Sequence, residues 1–163
     1  MYNYDHKTDW YYEGEISKKI VLYLIKNGYE IIKDNSNNIS TKGEDIIARI
    51  NGITEIIEVK GYPTNIYTNG TNRGKPKPTN PKLQAKHWFT DVLISCIFNY
   101  KKHKMNGNFK LAIGLPLNDR YLELIGKVED FFYDYKIDMK IYLVNEGGEI
   151  IERNLNISEG SSA

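Results

Sequence analysis

The stretch Gly43-Glu44-Asp45-Ile46-Ile47-Ala48-Arg49-Ile50-Asn51-Gly52-Ile53-Thr54-Glu55-Ile56-Ile57-Glu58-Val59-Lys60 decides how this chain folds. Asn51-Gly52 separates two apolar-rich runs, and this dipeptide is the strongest short hairpin signal, because both residues tolerate positive φ. The pattern predicts strands over residues 45–50 and 53–60. A two-residue turn pairs Ile50 with Ile53, and stepping back equally along both strands brings Asp45 opposite Glu58, with β-carbons about 4.5–5.5 Å apart. Side chains alternate along a strand, so Lys60 shares the face of Glu58. Ile46, Ala48, Ile50, Ile53, Ile57 and Val59 collect on the other face, the expected core side.

Upstream, Tyr12, Ile16, Ile20, Tyr23 and Leu24 recur at helical spacing. They predict a helix over 10–27, capped by Asp9 and stopped at Gly28. Residues 29–32 read as a short strand and 34–40 as a loop. Downstream, Gly61, Gly70, Gly74 and Pro63, Pro76, Pro78, Pro81 mark 61–81 as a long loop, a length that is usually functional or disordered. A helix over 82–102, a strand over 109–115 ended by Pro116, a helix over 119–135 and a strand over 139–144 complete the pattern. The order is α-β-β-β-α-β-α-β, an α/β mixed sheet flanked by helices. Residues 1–157 form one domain, and 158–163 are expected to be a disordered tail.

The chain has 163 residues, 40 % of them hydrophobic, enough for one core. With 22 basic and 21 acidic residues the net charge is +1, so a nucleic-acid partner needs a local basic patch. The single cysteine, Cys96, makes no internal disulfide and lies among apolar residues, as expected of a buried thiol in a reducing cytoplasm. No apolar run approaches membrane-spanning length, and the polar start is unlike a signal peptide, so a cytoplasmic protein with no membrane partner is expected.

Two carboxylates directly opposed across a hairpin repel each other, and a divalent cation removes that conflict. Oxygen ligands suit hard ions, Mg²⁺ or Mn²⁺. The ammonium of Lys60 beside them can hold a water or a developing negative charge, an arrangement suited to phosphodiester hydrolysis.

These residues resemble the PD-(D/E)XK nuclease superfamily, the restriction-endonuclease-like fold. Gly43-Glu44-Asp45 is similar to its Asp element and Glu58-Val59-Lys60 to its Glu-x-Lys element, and the element order matches over about residues 10–115. The resemblance implies that Asp45, Glu58 and the Val59 carbonyl coordinate Mg²⁺ and that Lys60 orients the attacking water. It also implies a carboxylate from the first helix, for which Glu15 is the natural candidate and Glu13 the rival. Gln84-Ala-Lys-His-Trp88 resembles the Gln-x-x-x-Tyr element of some members, with Trp88 replacing the tyrosine, so no hydroxyl is available there. Gln84 would then hydrogen-bond a site carboxylate or a nucleotide.

Arg73, Lys75, Lys77, Lys82 and Lys86 follow Lys60 in a segment that holds no acidic residue between Gly61 and Thr90. Tyr62, Tyr67, Trp88 and Phe89 are interleaved with them. Basic groups neutralise phosphates and aromatic rings stack on bases, so this segment is the expected DNA contact. Without a separate recognition domain, specificity would come from loops, from a homodimer or from a partner subunit. The expected function is a Mg²⁺-dependent DNA endonuclease. The alternatives are a catalytically silent nucleic-acid-binding or assembly subunit of the same fold, and a small interaction protein whose Glu-x-Lys is accidental.

Overall fold

A computed structural model describes residues 5–37 and 42–157. After a short 3-10 turn at His6–Thr8 come α1 (Glu13–Lys26), β1 (Glu30–Asp34), β2 (Ile46–Ile50), β3 (Ile53–Val59) and α2 (Pro81–His103). They are followed by β4 (Phe109–Pro116), α3 (Asp119–Gly126), α4 (Glu129–Asp134), β5 (Met139–Val144) and β6 (Ile150–Asn154). The strands form one mixed sheet in the order β1-β2-β3-β4-β5-β6.

The hairpin forms in the register read from the sequence. Ile50 pairs with Ile53, Ala48 with Glu55 and Ile46 with Ile57, around Asn51 at φ 51° and Gly52 at φ 76°. Both positive values belong to the turn whose twist matches that of two antiparallel strands. β4 lies parallel to β3, and β5 parallel to β4. Both crossovers step the same way along the sheet, so a single handedness lays their helices on one face.

α1 therefore has the other face to itself. Ile16, Ile20 and Leu24 pack there on Ile46, Ala48, Ile57, Val59, Ala112 and Tyr142. On the opposite face Ala85, Phe89, Val92 and Cys96 of α2 join Tyr121 and Ile125 of α3 and Phe132 of α4 over Ile113, Leu115, Ile141 and Leu143. Consecutive residues of β4 and β5 thus enter different cores, as strand alternation requires. Cys96 is fully buried, its Sγ 3.4 Å from the Ala112 carbonyl oxygen, and burial pushes its thiol up to about 12. No helix among the described residues is long and apolar enough to cross a membrane.

The observed order differs from the expected α-β-β-β-α-β-α-β in two places. The helix expected over 119–135 is two helices, because the chain leaves α3 at Gly126, where Lys127 and Val128 donate to Leu124 and Ile125 in tight three-residue turns. Glycine has the lowest helix propensity of any residue but proline, and the break re-aims α4 so that Phe132 is buried. The sixth strand was not expected. β6 is an edge strand with only partial burial, so it lacks the hydrophobic alternation that betrays a strand. The first helix also begins later than expected, at Glu13 with Tyr12 as N-cap. Asp9 instead ends the 3-10 turn, and its carbonyl accepts from Tyr12 N–H at 3.0 Å. The expected tail over 158–163, and part of the loop over 34–40, fall outside the described residues.

The hairpin's faces also differ from the expected pattern. The Glu58 face is not an open surface opposed to a single core face: α2 covers it, and Ile56 on that face is fully buried. Sheets with helices on both sides bury both faces of their central strands.

Candidate functional site

The carboxyl end of β3 is where acidic groups from three elements converge. Asp45 immediately precedes β2 and continues its register, which sets it across from Glu58. Its Oδ2 accepts from the Val59 N–H at 2.7 Å, and its charge bears on the Glu58 carboxyl. α2 runs back over β3 and supplies Asn99, whose side-chain amide donates to Glu58 Oε1 at 2.7 Å. Burial raises both acids from their ordinary values, Glu58 to about 7, and for Glu58 the charges of Asp45 and Glu44 push the same way. In this crowded, partly desolvated place a shared proton costs less than two negative charges.

Glu13 reaches the same corner from the N-terminus of α1. Gly61 makes this possible: a β-carbon there would lie 2.5 Å from the Tyr11 carbonyl oxygen and 2.7 Å from the Glu13 nitrogen. Without one, the chain leaving β3 lies against the start of α1, with Tyr62 N–H donating to Tyr11 O at 3.0 Å. Tyr121 Oη pins the turn by donating to the Gly61 carbonyl at 2.7 Å. The Glu13 carboxyl is pushed up to about 7 by burial; nearby Lys60 and a hydrogen bond from the Gly61 N–H oppose that rise, and the Asp45 charge adds to it.

Lys60 is held between the two layers. Its Nζ lies 3.4 Å from Asp91 Oδ2, 3.9 Å from Glu13 Oε2 and 5.7 Å from the centre of the Trp88 ring. One residue before Asp45, Glu44 is in a contrasting setting, ringed by Lys102, by His103 Nε2 at 2.7 Å and by Lys33 Nζ at 3.3 Å. Burial works to raise its carboxyl, but hydrogen bonds from Lys102 and His103 outweigh it and bring it down to about 2.

Among the residues singled out from sequence, Asp45, Glu58 and Lys60 come together, with Val59 tied to Asp45 through its N–H. Glu15 does not join them. It pairs with Lys18 at 2.9 Å on α1, and Glu13 takes the position beside Lys60. Gln84 lies one helical turn before Trp88, and its Oε1 is buried without a hydrogen-bond partner. The segment from Gly61 to Asn80 folds into a small finger, closed by the bridge between Ile66 and Pro76. Arg73 and Lys75 are exposed near its tip. Lys75 Nζ lies 3.4 Å from Asn72 Oδ1, and Lys77 leans back, its Nζ 3.4 Å from Thr64 Oγ1. Lys82 and Lys86 are exposed on the first turns of α2.

Asn99 and Asp91 were not anticipated. Their signal was helical spacing relative to Trp88, legible only once α2 was known to lie over β3. Among the described residues, no three acidic, histidine or cysteine side chains are close enough to cage a metal ion by themselves. The oxygen donors that do meet here are the Asp45 and Glu58 carboxyls, beside Val59 at the end of β3. No family model, characterised protein or solved structure matches the chain.

Proposed function

We propose that this chain is a Mg²⁺-dependent DNA endonuclease of the PD-(D/E)XK kind, with the restriction-endonuclease-like fold. The observation that supports it best is the meeting of Asp45, Glu58 and Glu13 with the Lys60 ammonium at one end of the sheet. The donor chemistry fits the ion. Two neighbouring carboxyl groups in a partly desolvated place, where the Asp45 charge raises Glu58, are with a backbone oxygen and waters a set that Mg²⁺ or Mn²⁺ accepts. Asp45, Glu58 and the Val59 carbonyl would hold the ion, which supplies Lewis acidity at the phosphate.

The rest falls to the protein's own groups. Lys60 orients the attacking water and faces the charge that develops on the phosphate, a task for a cation held in place before reaction. Asp91 and Glu13 fix its ammonium from two sides, and Trp88 limits its reach. Glu13 remains partly protonated near neutral pH, so it can exchange a proton with the water that Lys60 holds. Arg73, Lys75, Lys77, Lys82 and Lys86 neutralise the DNA phosphates around the site.

The test is incubation of supercoiled plasmid with wild type and Lys60→Ala in Mg²⁺ or Mn²⁺. Nicking by wild type, reduced roughly hundredfold or more in the variant, is the expected result. Equal residual cutting by both proteins would refute the assignment.

A further inference from the structure

A cavity of about 200 Å³ opens directly beside this corner. Its walls include Tyr11, Tyr12, Glu13, Tyr62, Lys77 and Trp88, so three tyrosines and a tryptophan surround a space with one cation and one carboxyl group at its edge. The walls hold one another in place. Tyr11 and Tyr62 meet edge to face at 6.4 Å, and Tyr62 meets Tyr121 in the same way at 5.5 Å. The cavity is continuous with the proposed reaction centre, because Trp88 and Glu13 line it while both face the Lys60 ammonium.

We propose that this cavity receives one unpaired base of the substrate strand, next to the phosphate presented to Lys60, and that the enzyme acts on single-stranded or locally opened DNA. The space suits a single planar ring system. Every base has a π-face that stacks on aromatic side chains whatever its sequence. Thr64 and Thr68 on the finger side, with Glu13 on the helix side, offer hydroxyl and carboxyl groups to a base edge. Lys77 is placed for the backbone phosphate as the strand enters. A base inside an intact duplex is stacked on its neighbours and cannot enter such a recess unless it is first turned out of the helix. The surface charge fits as well, because a near-neutral protein with one short basic finger is better matched to a single strand than to a long duplex track.

This inference rests on the nuclease reading for the position of the scissile phosphate, but binding alone tests it. The experiment titrates wild type, Thr68→Phe and Trp88→Ala against fluorescent oligothymidine and a duplex of equal length, in Ca²⁺. Thr68→Phe fills the cavity from the exposed finger and leaves both cores untouched, and circular dichroism checks the fold of each variant. The expected result is single-strand binding about tenfold tighter than duplex binding, with the preference lost in Thr68→Phe. Duplex binding equal to or tighter than single-strand binding would overturn the proposal. So would a preference that survives Thr68→Phe, or displacement of the strand by micromolar free thymidine monophosphate, which would make the cavity a mononucleotide site. Absence of cleavage in Mg²⁺ would count against the nuclease reading and leave this measurement intact.

Discussion

Glu44 and Asp45 are consecutive residues, both largely withdrawn from water, and the fold treats them in opposite ways. Glu44 receives three basic partners from β1 and the end of α2, and its carboxyl falls to about 2. Asp45 receives one backbone N–H and another carboxyl group, and it rises. Glu55, on β3 itself, resembles Glu44: it is 3 % exposed and takes hydrogen bonds from Tyr142, from Lys140 at 3.2 Å and from Tyr29 at 3.3 Å. A carboxylate used to hold elements together is surrounded by donors. The Asp45–Glu58–Glu13 corner instead gathers acids with few donors, and burial raises all three, Glu13 and Glu58 to about 7; acids perturbed in this way cluster at functional sites.

The largest expected effect breaks the satisfied member of the comparison. Glu44→Ala leaves Lys33 and His103 without their acceptor and should cost about 2–3 kcal/mol in urea unfolding, less than a fully buried pair because Lys102 can return to water. The pH dependence separates the two regions next. Glu44 is lowered on folding, so its stabilisation is present above its ordinary pKa near 4.5 and is lost as pH falls toward 2. Glu13 is raised, so its contribution is present below about 4.5 and is lost as pH rises through about 7. Urea titrations from pH 3 to pH 8 should therefore show a falling stability limb between pH 5 and 7 that Glu13→Gln flattens, by up to about 2–3 kcal/mol. An unchanged limb in Glu13→Gln would remove Glu13 from the crowded corner. The smallest effect has the opposite sign: Asp45→Asn keeps an acceptor for the Val59 N–H and removes a buried charge, so stability should hold or rise by about 1 kcal/mol. A loss of more than that would make Asp45 a structural acid like Glu44.

The centre of the fold was legible because Asn51-Gly52 and the isoleucine alternation leave one register open. A slip of a single residue would move Ile46, Ala48 and Ile57 out of the core. That register also set Asp45 across from Glu58. Glu13 could not be distinguished from Glu15, because both lie in the first helical turn and only the close passage of Gly61 selects between them. Asn99 and Asp91 were hidden for a related reason, since the line of α2 across the sheet depends on crossover geometry rather than on local pattern. β6 and the break between α3 and α4 escaped because an exposed edge strand and a glycine kink leave little hydrophobic periodicity.

The most direct measurement is calorimetric titration of Mn²⁺ into wild type, Asp45→Asn and Glu58→Gln at pH 7 and pH 8. The expected result is one ion bound by wild type, more tightly at pH 8 and with proton release, because burial raises Glu58 to about 7 and the cation must displace the proton it holds. Both variants should lose most of that binding while remaining folded. Binding that is absent from wild type, or equal in all three proteins, would contradict the proposal that this group of raised carboxyls is a metal site.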